Sequence, residues 1–220
     1  MNEAQARSEI CRVGKSLFDR GYVHATAGNI SVRLDDGYLI TPTDACLGFL
    51  EPASLARTDL QGRQLSGDPA SKTLVLHRRI YEAHAGLQGA PRSVIHTHGT
   101  HCVALTLDDP QGELLPPITP YFVMKVGHVP VVPYHRPGAP EVGDQVAALV
   151  ARYASQGTPL RAVMLTRLGP NVWHDSPAQA MAVLEELEET AKLWLLAQPK
   201  PQALEKPALE ELERVFGCRW

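Results

Sequence analysis

Cysteine is scarce and scattered in this chain. Cys11, Cys46, Cys102 and Cys218 form no Cys-x-x-Cys pair, which excludes a small disulfide framework and a zinc ribbon. Long apolar runs are missing too: none approaches the roughly 20 residues needed to span a bilayer. The opening Met1-Asn-Glu-Ala-Gln-Ala-Arg7 has no apolar signal core. An excess of positive charge is absent, with a net charge of −3 when the nine histidines are neutral, and no basic patch is interleaved with aromatics. Nucleic acid is therefore not an expected partner. These absences predict a cytoplasmic protein with reduced thiols and no membrane contact. The 220 residues suffice for one large domain or two small ones with a buried core.

What is present is an intermixture of helical and strand patterns. Residues 3–20 read as an amphipathic helix stopped by Gly21, and Ala25-Thr-Ala-Gly-Asn-Ile-Ser-Val-Arg-Leu34 as a glycine turn entering a strand. Asp35-Asp36-Gly37 predicts a hairpin to Tyr38–Thr41, and Asp59–Gln64 a second one. A helix is predicted over 71–86, a strand over Ser93–His98 broken at Gly99, and a proline-flanked edge segment over Val129–Pro133. A helix over Glu141–Tyr153 and paired strands at Arg161–Thr166 and Gly169–Trp173 follow. Ser176 and Pro177 then open a long helix. Its glutamates, Glu185, Glu186, Glu188 and Glu189, read as a solvated face with a Glu188–Lys192 pair rather than a metal-binding cluster. The pattern predicts one α/β domain over 1–198 with a mixed, largely antiparallel sheet. Residues 199–220 read as a linker and short helix.

His96 and His98, two apart on a predicted strand, put two imidazoles on one face, which is half of a zinc-type site. On spacing alone an ordinary hydrogen-bonded pair is the slightly better reading. His101, past the glycine break, is expected to be supporting or structural. Thr26-Ala-Gly-Asn-Ile-Ser, Thr41-Pro-Thr-Asp and the helix-opening Ser71-Lys-Thr offer hydroxyls, an amide and free N–H groups suited to an anion. Each alone is also explained as turn or cap residues.

In their order along the chain these segments, with Leu39-Ile-Thr-Pro-Thr, His96-Thr-His98 and Leu168-Gly-Pro, resemble the class II aldolase/adducin family over residues 6–197. Asp36–Leu50, Leu115–Met124 and Glu185–Lys192 are most similar to the 3-oxo-tetronate 4-phosphate decarboxylases within it, and L-fuculose-phosphate aldolases are more distant. The resemblance implies a three-layer α/β/α fold, a homotetramer with sites between subunits, and a metal-dependent carbon–carbon lyase using a divalent ion such as zinc. It implies a pocket for a phosphorylated sugar acid at Gly28, Asn29, Thr43, Asp44 and Ser71, with Lys72 beside it. His96 and His98 would hold the metal, and Tyr121 would donate a proton to a neighbouring subunit's site.

Two positions depart from the family pattern. Thr73 stands where the family places an acid/base glutamate, and Leu168 where it places a third metal histidine. Threonine does not titrate near neutrality and leucine cannot ligate. His135 is the first substitute ligand to consider, then His128 or His101. Decarboxylating a β-keto acid starts from an ionised carboxylate, so the missing glutamate harms it less than aldol cleavage. Two other readings remain at this point: a shifted, non-phosphorylated hydroxy or aromatic acid substrate, and a degenerate binding or structural subunit.

Overall fold

The computed structural model describes residues 1–87 and 89–220. Its sheet has eight strands: β1 (Asn29–Leu34), β2 (Gly37–Ile40), β3 (Ala56–Asp59), β4 (Gln64–Ser66), β5 (Ser93–His96), β6 (Val131–Val132), β7 (Ala162–Leu165) and β8 (Gly169–His174). They lie in the order β4-β3-β2-β1-β5-β8-β7-β6. Only β6 pairs in parallel, with β7. The other pairings are antiparallel, as alternating patterns joined by short turns demand.

Helices cover both faces. α1 (Glu3–Asp19) and α5 (Pro177–Leu196) take one face, with Ile10, Leu17, Leu184 and Leu187 meeting Ile30, Ile95 and Val172. α2 (Leu74–Ala83) and α4 (Glu141–Ser155) take the other, where Ile80, Tyr81, Val146 and Val150 meet Tyr38, Val94 and Trp173. Successive strand residues point to opposite faces. Val94 and His96 therefore look toward α2 and α4, and Ile95 toward α1 and α5. The result is the expected three-layer α/β/α arrangement.

Local chemistry accounts for the element ends. Asn2 and Gln5 form a reciprocal capping box on α1, and Ser176 accepts from the Gln179 N–H at 3.3 Å to open α5. In the first hairpin Leu34 pairs with Gly37. A Cβ on Gly37 would lie 2.0 Å from the Thr58 carbonyl oxygen, so only glycine fits there. The helix predicted over 71–86 is shorter, beginning at Leu74 and ending at Ala83. Ser71 Oγ takes the Thr73 N–H and contacts its hydroxyl at 2.7 Å, which holds 71–73 in a tight turn ahead of the helix. The edge segment contracts to β6 because its flanking prolines cannot donate to a ladder.

Past β5 come α3 (Thr100–Ala104) and a single π-helical turn, Phe122–Val126, packed on α5. α6 (Lys206–Phe216) follows the Pro199 segment, and the Trp220 ring packs on Phe122 and stacks on His128 at 4.3 Å. Among the described residues no helix is long and apolar enough to cross a membrane.

α5 touches both the sheet and α1, with Leu187 fully buried between them. Leu187→Ala is expected to lower unfolding free energy by about 3 kcal/mol, the usual cost of a buried leucine cavity. Urea unfolding followed by circular dichroism would check this; a loss under ~1 kcal/mol would mean that the site collapses around the missing atoms.

Candidate active site

The C-terminal end of β5 is where the chemistry-bearing residues gather. Asn29 on β1 pairs with His96, and His96 pairs with Asn171 on β8, so these three side chains form a row on the α2 face. His96 donates Nδ1–H to the Pro170 carbonyl at 2.9 Å, which leaves the Nε2 lone pair free. Burial, then the neighbouring His98, pulls its pKa down to about 4. It is thus a neutral imidazole at neutral pH. The His98 ring stands edge-on to it with centroids 5.1 Å apart. Partial burial, then the charge of His24, lowers the His98 pKa as well.

Beneath His96 lies His77, fully buried on α2. Tyr81 OH donates to the Ser31 carbonyl at 3.1 Å, so Ser31 Oγ–H is left for the Tyr81 oxygen and His77 Nδ1–H for Ser31 Oγ, both at 2.7 Å. His77 Nε2 is then a bare acceptor; like it, Asn29 Oδ1, the acceptor Asn171 Oδ1 and the donor Asn171 Nδ2 have no hydrogen-bond partner among the described residues. Such buried groups are ordinarily satisfied by ordered water. Burial, then His96, drives the His77 pKa down to about 3.

The anion-binding candidates meet at the same end of the sheet. Thr41 joins both edges of the cluster: Ile30 N–H donates to its hydroxyl, and its carbonyl accepts from Ser71. Thr43 N–H donates to the Pro69 carbonyl, and Pro42 bridges Ala70. These contacts bring Gly28 and Asn29, Thr43 and Asp44, and Ser71, Lys72 and Thr73 to one rim. Thr43, Asp44 and Lys72 are exposed there, and Asp44 has left-handed backbone at φ 54°. Gly28, at φ 86°, would put a Cβ 2.9 Å from the His96 carbonyl oxygen, so the loop depends on glycine to close over the strand end.

The substitute ligands are not brought to the pair. His135 lies against the Gln145 amide at 3.1 Å, His128 is paired with Glu113 and stacked on Trp220, and His101 is bound by Glu188. Leu168 packs against the apolar cluster under α2 and α4. Among the described residues no three of His, Cys, Asp or Glu gather as a metal-binding group. His96 and His98 thus supply two imidazoles, half of a zinc-type ligand set, and the Nδ1–H bond of His96 orients that ring in the way metal-binding histidines commonly require. Tyr121 stands apart, 62% exposed on the π-turn side, and its hydroxyl has no partner among the described residues.

The spacing rules missed three residues here. His24 sits in an exposed loop with no periodic pattern, and its charge reaches His98. Asn171 and His77 read as ordinary strand and helix positions, and only register and packing place them around His96. The reading of Glu188 as solvated is wrong. It is 7% exposed and is bound by the turn after His98, while Lys192 reaches Glu189 instead, at 3.8 Å.

Known proteins are similar to this chain in sequence and in fold. A profile of the family described as "Class II Aldolase and Adducin N-terminal domain" matches residues 8–195. The chain is 52% identical to a 3-oxo-tetronate 4-phosphate decarboxylase of Cupriavidus necator, with 99% of each chain covered. It is 30% identical to an L-fuculose phosphate aldolase of Methanococcus maripaludis, covering 84% of this chain and 93% of that one. The crystal structure of YgbL from Klebsiella pneumoniae superposes with a TM-score of 0.86 at 39% identity. It covers 96% of this chain and 99% of that one.

The buried histidines make stability depend on pH. His77 has its folded pKa at about 3, below the ordinary 6.5. The unfolded chain therefore binds the proton first, and stability is lost as pH falls from about 6.5 toward 3. At pH 5 this one group is expected to cost about 2 kcal/mol. Urea midpoints should drop between pH 7 and pH 5, and less steeply in His77→Gln; equal slopes would assign the loss to other groups.

Proposed function

This chain belongs to the class II aldolase and adducin family, and within it we propose a carbon–carbon lyase that decarboxylates 3-oxo-tetronate 4-phosphate to a dihydroxyacetone-phosphate-like product. The observation that carries this reading is the meeting, at one end of the sheet, of two imidazoles with a rim of hydroxyls, amides and glycine backbone. The names of its similar relatives support the substrate class.

In this reading the substrate phosphate lies on the rim. The Gly28 backbone, the Asn29 amide and the hydroxyls of Thr43 and Ser71 bind it, with Lys72 supplying positive charge. That placement directs the keto carbon toward His96 and His98. A divalent cation such as zinc, held by His96 and His98, would supply Lewis acidity at the keto oxygen, where charge develops as CO2 leaves. The carboxylate is already ionised, so breaking its bond to carbon needs no base, and Thr73 at the family's glutamate position does not stop the reaction. The departing CO2 leaves its electron pair behind as an enediolate. The enediolate carbon then needs one proton, which the Tyr121 hydroxyl or water would supply. The exposed, unpartnered Tyr121 suits a homotetramer in which it enters the neighbouring subunit's site. Leu168 reduces the protein ligands to two, so the cation would be held more weakly than at the usual three.

Purified protein given 3-oxo-tetronate 4-phosphate, with and without added zinc, is expected to release CO2 in a zinc-dependent way. His96→Ala should cut kcat/KM by on the order of 100-fold or more, as for loss of a main transition-state contact. Ser71→Ala should raise KM with little change in kcat, since it removes uniform binding. Absence of CO2 release under every divalent metal sinks the proposal. Thermal protection absent with phosphate would point instead to a non-phosphorylated acid, a substrate that Asp44's charge on the rim would favour.

A further inference from the structure

We propose that Glu188 is a positioning residue for the histidine pair: its carboxylate fixes the turn after His98 and so sets the direction in which the imidazoles face. The inference rests on the reading of His96 and His98 as the reacting centre.

Glu188 projects from α5 among Leu184, Leu187 and Ala191, in the apolar layer. A carboxylate in such surroundings is costly unless donors surround it. Three do. Oε1 accepts from the His101 backbone N–H at 2.8 Å and from His101 Nδ1–H at 2.9 Å, and Oε2 accepts from the Cys102 N–H at 3.0 Å. The backbone donors belong to the first turn of α3, whose own capping residue, Gly99, has no side chain to take them. The cap therefore comes from a helix 87 residues further along the chain.

Gly99 is the steric counterpart of that cap. A Cβ there would lie 2.6 Å from Glu188 Oε2, so the carboxylate occupies the space a side chain would need. His98 is joined directly to this glycine and lies beyond the end of β5. On the strand side, Thr97 N–H reaches the Pro170 carbonyl at 3.4 Å and His96 Nδ1–H reaches the same oxygen at 2.9 Å. On the far side, the three bonds to Glu188 hold the turn. His98 is suspended between the two anchors, and Glu188 supplies the second.

The test uses Glu188→Gln, which keeps the volume but turns an acceptor into a donor facing N–H groups, and Gly99→Ala, which strains the same contact from the other side. Leu184→Ala, one helical turn away in the same layer, serves as a stability control. Cobalt(II) affinity and the His98 and His96 ring resonances are measured in each, followed by kcat and KM. Both turn variants are expected to displace the His98 resonances, to weaken cobalt(II) binding by about 10-fold or more, and to lower kcat with KM little changed. Leu184→Ala should lower Tm alone.

Wild-type His98 resonances and cobalt(II) affinity in a folded Glu188→Gln protein would overturn the proposal. So would the same losses in Leu184→Ala. Should Glu188→Gln fail to fold, Gly99→Ala decides by the same criteria. A wild-type protein that neither binds cobalt(II) nor turns over substrate would defeat the reading of the pair, while the His98 resonances would still decide what Glu188 does.

Discussion

Everything around the His96–His98 pair depends on how closely two turns approach the end of β5. A Cβ on Gly169 would lie 2.0 Å from the Thr97 carbonyl oxygen, and one on Gly28 would lie 2.9 Å from that of His96. Both glycines have positive φ, 129° and 86°, where other residues are strained. Because these turns pack so tightly, the Pro170 carbonyl reaches the His96 ring and orients it. The same closeness seats Asn29 and Asn171 on either side of that ring. The absence of two side chains is what draws the polar groups of three strands together.

That gathering has an electrostatic cost. His77, Asn29 and Asn171 bury polar atoms that have no partner among the described residues, and burial keeps His77 and His96 neutral. Buried polar atoms of this kind weaken a fold unless something satisfies them. Their concentration around one histidine, within otherwise apolar layers, is the pattern expected where stability is given up for chemistry. Glu188 shows the opposite solution. It is a buried charge whose donors are all supplied by one turn, and it stiffens the structure where the strand ends.

Much of the architecture was legible in the sequence because its signals are local. The Asp35-Asp36 hairpin, the Ser176–Pro177 helix start and the stripe through Leu184 and Leu187 follow from turn chemistry and periodicity, and each element formed near its expected limits. The family resemblance was legible as well, since it lies in the order of short motifs. What misled was the surface reading of Glu188. Its helix carries four glutamates within five positions, and helical spacing cannot say which one faces a neighbouring turn. The substitute ligands failed for a related reason. His135, His128 and His101 each have a polar or aromatic partner distant in sequence, and spacing is silent about those partners.

The sequence by itself determined the α/β class and the mixed sheet and singled out His96 and His98, although the strand predicted over Ser93–His98 ends at His96, so the turn beyond β5 and not strand alternation sets the His98 ring edge-on to His96. It also determined that Thr73 cannot act as a titrating acid or base and that Leu168 cannot bind metal, because these are properties of the side chains alone. Only the tertiary structure decided that His77, Asn29 and Asn171 surround His96, that His24 lies beside His98, and that Glu188 holds the turn beyond it. Those contacts join residues from β1, α2, β8 and α5. Their distances are set by strand register and layer packing, which no local pattern encodes.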